Sequence, residues 1–179
     1  MSNCFILLAA GKGKRFKSNT LKQFIIYKNK PLFMHSIDKA TKSNLFKEIV
    51  LVTNSKIKLK NKKVKIIKGG KERYQSSQKG LEYIKNKKFK NVFIHDAARP
   101  DFSVNLLKNL KKHLNKNKAV VPFINTDNST KYNYKSKVIN LKRDKVLLTQ
   151  TPQCFDFKTL YNLSKNNKNI VTDEATLFL

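Results

Sequence analysis

Short apolar runs alternate along most of this chain with stretches of helical periodicity. The runs fall at residues 4–10, 48–53, 64–67, 91–95 and 119–123. Each has strand length and is rich in Ile, Val, Leu or Phe. Between several of them lie helical patterns. Pro31 opens a helix whose apolar face includes Phe33, Ile37 and Ala40. Residues 76–85 carry Leu81 and Ile84, and Ser103 caps a helix with Leu106, Leu107, Leu110 and Leu114 at helical spacing. Apolar strands separated by helices predict an α/β fold of three layers, α/β/α, around a mostly parallel sheet covered on both faces.

The pattern changes at residues 126–142, where Tyr132, Tyr134 and Val138 alternate among Lys and Asn. This segment predicts a hairpin, a β-arm projecting from the body. A core-like stretch returns at 146–155, and a helix follows over 157–165. Thr172-Asp173-Glu174 then reads as a helix cap with acidic first-turn residues. The 179 residues suit one domain spanning 1–179, with the arm inside it.

Composition changes this picture at one point. The formal net charge is +28, from 39 Lys and Arg against 11 Asp and Glu. Such a balance invites a nucleic-acid reading. The lysines, however, are spread along the chain and not gathered on one helix or tail, so specific nucleic-acid binding is not expected. The field should still attract small polyanions such as nucleotides. No apolar run approaches the roughly 20 residues that span a bilayer, so no membrane association is expected. The apolar start lacks a preceding basic region and leads straight into a glycine turn, so it reads as a buried strand and not a signal peptide. Cys4 and Cys154 have no metal or redox spacing, which fits a reducing cytoplasm, and the three histidines show no zinc-ligand spacing.

Ala9-Ala10-Gly11-Lys12-Gly13-Lys14-Arg15 follows the first strand. Glycines there let the backbone turn tightly and approach a phosphate with its amides. In an open α/β sheet this loop lies where ligands bind, beyond the carboxyl ends of the strands. A dinucleotide fingerprint would want Gly or Ala where Phe16 stands, and no Gly-Lys-Ser/Thr completes a P-loop. Arg15 and the downstream Lys22-Gln23 add cations able to neutralise a triphosphate.

The run Ala-Ala-Gly-x-Gly-x-Arg with Lys22-Gln23 resembles the sugar-nucleotide pyrophosphorylase group, and within it the 2-C-methyl-D-erythritol 4-phosphate cytidylyltransferases. Four further blocks agree in order: Gly69-Gly70-Lys71-Glu72-Arg73-Tyr74-Gln75-Ser76, His95-Asp96-Ala97-Ala98-Arg99-Pro100, Thr151-Pro152-Gln153 after Arg143, and Thr172-Asp173-Glu174-Ala175. The resemblance implies a Rossmann-like fold and transfer of CMP from CTP to 2-C-methyl-D-erythritol 4-phosphate, with release of pyrophosphate, in non-mevalonate isoprenoid precursor synthesis. It implies catalytic roles for Arg15, Lys22 and Arg143, and nucleotide contacts at Ala9, Ala10, Gly11, Gly13, Gly70, Arg73, Ser76, Asp96 and Ala97. Asp96 would help to hold Mg²⁺ or another divalent cation, the alternative being a carboxylate that anchors a turn, for instance with Arg99. His95 is expected to be structural, because a phosphate monoester needs little deprotonation. Thr126 or Thr130, with Lys131 and Arg143, would meet the sugar phosphate. The resemblance also implies a homodimer whose arms, residues 126–142, reach into the partner's site.

The chain departs from the family pattern in places. Leu21 stands where the family has Pro, and Lys71 where some relatives have an acidic nucleotide contact. Relatives also continue beyond the last block, into a segment that holds a second substrate-positioning lysine and a metal-binding aspartate. The chain is therefore expected to be a C-terminally incomplete piece of a longer protein, such as one fused to the next pathway enzyme, or the product of a truncated gene. Two other functions remain open: a cytidylyltransferase acting on ribitol 5-phosphate, and a non-catalytic basic protein that binds nucleotides or RNA.

Overall fold

The computed structural model describes residues 2–11, 13, 20–167 and 169–179. Its strands, in chain order, are β1 (Asn3–Leu8), β2 (Ile26–Tyr27), β3 (Lys30–Pro31), β4 (Glu48–Val52), β5 (Val64–Ile67), β6 (Asn91–Asp96), β7 (Ala119–Val120), β8 (Phe123–Asn125), β9 (Thr130–Tyr134), β10 (Lys137–Leu141), β11 (Leu147–Thr149) and β12 (Gln153–Asp156). The α-helices are α1 (Leu32–Lys42), α2 (Arg73–Ile84), α3 (Val104–Leu114) and α4 (Phe157–Asn166).

A six-stranded sheet runs in the order β5-β4-β1-β6-β12-β7. β5, β4, β1 and β6 are parallel, while β12 is antiparallel to both of its neighbours. The middle of each central strand is apolar on both sides, as in Cys4–Leu8, Ile49–Val52 and Val92–Ile94, because both faces are covered. On β1, Phe5 and Leu7 join a core with Phe33, Ile37, Leu107 and Leu110 from α1 and α3. Cys4, Ile6 and Leu8, pointing the opposite way, join a second core with Leu81, Ile84 and Leu160 from α2 and α4. The expected three-layer architecture follows from this alternation. Both cysteines are free and buried, and burial pushes both thiols up, away from reactivity.

Local chemistry sets most boundaries. Ser103 accepts from Leu106 N at 3.0 Å and starts α3. Helix α2 begins at Arg73, three residues earlier than the apolar pattern suggests, because Glu72 and Gln75 form a capping box. The expected strand at 119–123 is two strands. Pro122 cannot extend a ladder, and Phe123 leaves the main sheet to pair with Thr149. For the same reason the stretch 146–155 is not one core segment. Leu147 and Leu148 lie exposed on the β8–β11 ribbon, and only β12 enters the sheet. Residues 126–142 do form a hairpin, β9 against β10, turning through Lys135 and Ser136 at φ 45° and 65°. No helix among the described residues is long and apolar enough to cross a membrane.

Registers level the strand ends that matter. Leu8 lies opposite both Val52 and Asp96, and Val52 lies opposite Ile67. The segments that follow β1, β4, β5 and β6 therefore share one edge of the sheet. The chain also reverses its direction of travel here, since β4 and β5 build outward from one side of β1 and β6 from the other. Such a switch point opens a crevice beyond the strand ends.

His95 on β6 is fully buried between Phe5 and Phe102, with Nδ1 2.8 Å from Thr151 Oγ1. Burial drives its pKa down to about 4, so it is neutral in the folded protein. A group depressed below its unfolded value of about 6.5 leaves the unfolded state holding more protons between those values. Its contribution is thus complete above pH 6.5 and lost as pH falls toward 4. Urea unfolding across this window should show stability falling more steeply with acid in the wild type than in His95→Gln. Equal slopes would remove His95 from the account.

Candidate active site

The shared edge assembles from backbone turns. Ala9 N donates to Val52 O at 2.8 Å and Ala97 N to Leu8 O at 3.0 Å, tying the glycine loop to the strands on either side. Gly13 has φ 61°, a left-handed conformation that favours glycine. Across the crevice, Asn54 Oδ1 accepts from Gly69 N at 3.1 Å. Ser76 Oγ accepts from Gly70 N at 3.0 Å and donates to Glu72 O at 3.2 Å. A Cβ on Gly69 would stand 2.3 Å from Ala10 Cβ, so only glycine lets the two loops approach this closely. Between them opens a cleft of about 860 Å³, lined by Ala10, Asn54, Gly69, Gly70, Gln75 and three lysines, Lys68, Lys71 and Lys79.

Beside this cleft the motif blocks interlock. Arg73 Nε donates to Asp96 Oδ1 at 2.9 Å, and its Nη1 donates to both oxygens of Glu174, at 2.9 and 3.1 Å. Arg99 Nε stands 3.6 Å from Asp96 Oδ2. Burial works against the charge on Arg73, but Glu174 and Asp96 together outweigh it and raise its pKa. Asp173 accepts from Gln153 Nε2 at 2.9 Å, Thr149 Oγ1 at 3.3 Å and Thr176 N at 3.2 Å. Burial again opposes the charge, and these hydrogen bonds overcome it and hold the carboxyl below its ordinary range. Through these bonds the blocks around residues 73, 96, 153 and 174 form one connected unit.

The structure adds to two sequence readings. Arg73, expected on the nucleotide, also pairs with two carboxylates, Asp96 through Nε and the buried Glu174 through Nη1. Glu174, expected as an acidic first-turn residue beside a cap, is only 2% exposed and pairs with Arg73, leaving Asp173 to cap the short 3-10 turn Ala175–Phe178. Glu174 and Gln153, which bond to Arg73 and Asp173 in this unit, were not singled out as site residues by sequence. Their only signal was membership of a motif block.

The remaining positions divide. Ala9, Ala10, Gly11, Gly70, Ser76, Asp96 and Ala97 gather at the crevice edge. Lys22 stands exposed at the start of the 3-10 turn Lys22–Phe24. Lys12, Lys14 and Arg15 lie outside the described residues. The arm residues keep to themselves: Thr126 Oγ1 accepts from Asn128 N, Thr130 Oγ1 donates to Asn128 O, and Lys131 donates to Asn140. Arg143 is exposed in its own 3-10 turn, Arg143–Lys145. Among the described residues no hydrogen bond joins Thr126, Thr130, Lys131 or Arg143 to the crevice cluster.

Comparison with known proteins places this architecture. The family model IspD, 2-C-methyl-D-erythritol 4-phosphate cytidylyltransferase, matches residues 3–178. The chain is 49% identical over 184 residues to a bifunctional enzyme IspD/IspF of Pelagibacter ubique, covering 100% of this chain and 50% of that protein. It is 36% identical over 191 residues to a 2-C-methyl-D-erythritol 4-phosphate cytidylyltransferase of Clostridium botulinum, covering 98% and 83% respectively. The chain thus spans half the length of the first of these relatives and most of the second. Among solved structures, the bifunctional IspDF of Campylobacter jejuni superposes with a TM-score of 0.85 at 30% identity, over 99% of this chain and 46% of that one. A 4-diphosphocytidyl-2C-methyl-D-erythritol synthase of Anaerococcus prevotii superposes with a TM-score of 0.84 at 25% identity, over 99% and 82%.

The Arg73–Glu174 contact makes a stability prediction. Glu174→Gln keeps the shape but removes the charge that Arg73 faces. It should cost about 2 to 3 kcal/mol in urea unfolding. A cost below about 0.5 kcal/mol, the level of an ordinary surface change, would show the contact to be incidental.

Proposed function

This chain belongs to the 2-C-methyl-D-erythritol 4-phosphate cytidylyltransferase family, and from that premise we propose that its crevice binds CTP and transfers CMP to 2-C-methyl-D-erythritol 4-phosphate. The observation that carries this reading is the lysine-rimmed cleft between Ala10 and Gly69-Gly70, at the sheet's switch point, with Lys22 following the glycine loop.

A phosphate oxygen of the sugar phosphate attacks the α-phosphorus of CTP. The new phosphorus–oxygen bond forms in line as the bond to the β-phosphate breaks, and the electron pair leaves on pyrophosphate. Both reactants are anions, so their repulsion has to be screened before they meet. Charge then grows on the leaving group. Fixed cations and aimed amides answer both needs, and positioning supplies much of the rest. Lys22 and Arg15 act at the phosphates, and the backbone around Gly70, held by Ser76 and Asn54, takes the cytidine. A tight glycine-rich pocket excludes purines by size. Thr126 or Thr130, Lys131 and Arg143 hold the sugar phosphate.

Asp96 is a carboxylate at the crevice edge, at the end of β6 and opposite Leu8 of β1. One of its oxygens is held by Arg73 at 2.9 Å and the other stands 3.6 Å from Arg99. No group of three His, Cys, Asp or Glu able to hold a metal occurs among the described residues. One carboxylate with a free lone pair fits a magnesium ion that enters with the triphosphate and keeps most of its ligands from phosphate and water. Such an ion neutralises charge on the phosphate oxygens, and Asp96 would hold it on the protein side.

The arm supports a dimer. Tyr132, Tyr134, Val138 and Ile139 on the hairpin, with Phe123, Ile124 and Leu147 on the adjoining ribbon, are exposed apolar side chains in an otherwise polar setting. A second copy covering them would bring Arg143 and the arm threonines of one chain to the crevice of the other. We place the enzyme in the cytoplasm, alone or beside the next-step enzyme as in the bifunctional relatives.

Pyrophosphate release from CTP should require 2-C-methyl-D-erythritol 4-phosphate, with ribitol 5-phosphate at least tenfold poorer. Lys22→Ala should lower turnover by about 100-fold or more with an unchanged melting temperature. Near-normal turnover in that variant would refute its role. Val138→Asp with Ile139→Asp should convert a sedimenting dimer to monomer and reduce turnover. A wild-type monomer fully active at nanomolar concentration would refute the shared site.

A further inference from the structure

Gln23 is a polar side chain only 4% exposed, buried directly behind the glycine loop. Its Nε2 donates to Ala9 O at 2.8 Å and to Gly11 O at 3.0 Å. Two carbonyls can be met only by the NH₂ end of the amide, so its orientation is set by its partners. On either side of Gln23 the chain is held differently. Phe24 packs its ring 5.4 Å from that of Phe33 in the core, while Lys22 stays exposed. The 3-10 turn is thus pinned by two neighbouring side chains and presents the third.

Peptide planarity gives this arrangement a consequence. In a trans peptide the carbonyl and the following N–H point in opposite directions. Ala9 O and Ala10 N–H belong to one peptide. A side chain that holds Ala9 O toward the body turns the Ala10 N–H away from it, and Ala10 lines the cleft. Gln23 therefore reaches the ligand through the backbone without touching it.

We propose that Gln23 is a positioning residue for the phosphate cradle: by holding the Ala9 and Gly11 carbonyls it aims the loop amides at the triphosphate and fixes Lys22 beside them. This rests on the reading of the crevice as a CTP site. The proposal separates phosphate binding from base binding, because Asn54 and Ser76, and not Gln23, shape the turn at Gly69-Gly70.

The test uses the full chain with Gln23→Ala and the isosteric Gln23→Glu. CTP and cytidine, which lacks phosphates, are titrated calorimetrically, with melting temperature as a control. Gln23→Ala should weaken CTP at least about tenfold and cytidine less than about threefold. Gln23→Glu puts a carboxylate against two carbonyls, so burial and repulsion hold its pKa high and the protonated form regains one donor. Its CTP affinity relative to wild type should therefore recover as pH falls from 8 to 5.5. If Gln23→Ala does not fold, the Gln23→Glu ratio decides. Equal loss of CTP and cytidine, affinities within threefold of wild type, or a pH-flat ratio would each overturn the proposal while wild-type CTP binding upholds the crevice reading. A wild-type chain that binds no CTP overturns that reading, and this one with it.

Discussion

Arg73 sits between two carboxylates, one from the middle third of the chain and one from its last third, and much of the crevice edge hangs on that fork. Its Nε holds Asp96 at the end of β6, and its Nη1 holds Glu174 just before the final 3-10 turn. Arg73 is itself the first residue of α2. One guanidinium therefore fixes the start of a helix, the end of a strand and the last turn relative to one another. Its planar, forked donor set suits this better than a lysine, which would meet one carboxylate as a point charge. Acidic residues are scarce here, 11 against 39 cations, yet Asp96, Asp173 and Glu174 all lie in this one region. In a molecule whose charge is otherwise repulsive, such a cluster also relieves local positive potential.

The fork clarifies how a highly basic protein can be selective. A charge of +28 draws in any polyanion, and the attraction fades with salt. What turns attraction into recognition is the fixed backbone: Ala10 and Gly69 in near contact, Gly70 held by Ser76, and Ala9 and Gly11 held by Gln23. These groups are set before a ligand arrives, so under the proposed transfer no reorganisation would be needed as charge moves toward the leaving phosphate. On the proposed reading, lysines at the rim would concentrate the nucleotide and the amides behind them would define where it stops.

Much of this was legible in the order of residues. The doubly covered runs 4–10 and 92–94 announced a buried parallel sheet because no polar residue interrupts them, and Ser103 named its own helix start. The motif blocks marked the crevice edge. Other features were hidden for physical reasons. Apolar patterning cannot tell a core strand from an exposed ribbon, so Leu147 and Leu148 read as core. It also cannot show that Pro122 diverts the chain out of the sheet into a new pairing. Side-chain partnership across 101 positions, as between Arg73 and Glu174, leaves no local trace at all, and neither does the inward turn of Gln23.

Amide-resolved chemical-shift mapping of the ¹⁵N-labelled protein, titrated with magnesium-CTP at physiological ionic strength, tests the central claim most directly. If a prebuilt amide cradle recognises the nucleotide, saturable shifts will concentrate at Ala10, Gly11, Gly70 and Ser76 and will persist as salt is raised. Small, non-saturating shifts scattered over the lysine-bearing helices, vanishing with salt, would mean that CTP is held by charge alone.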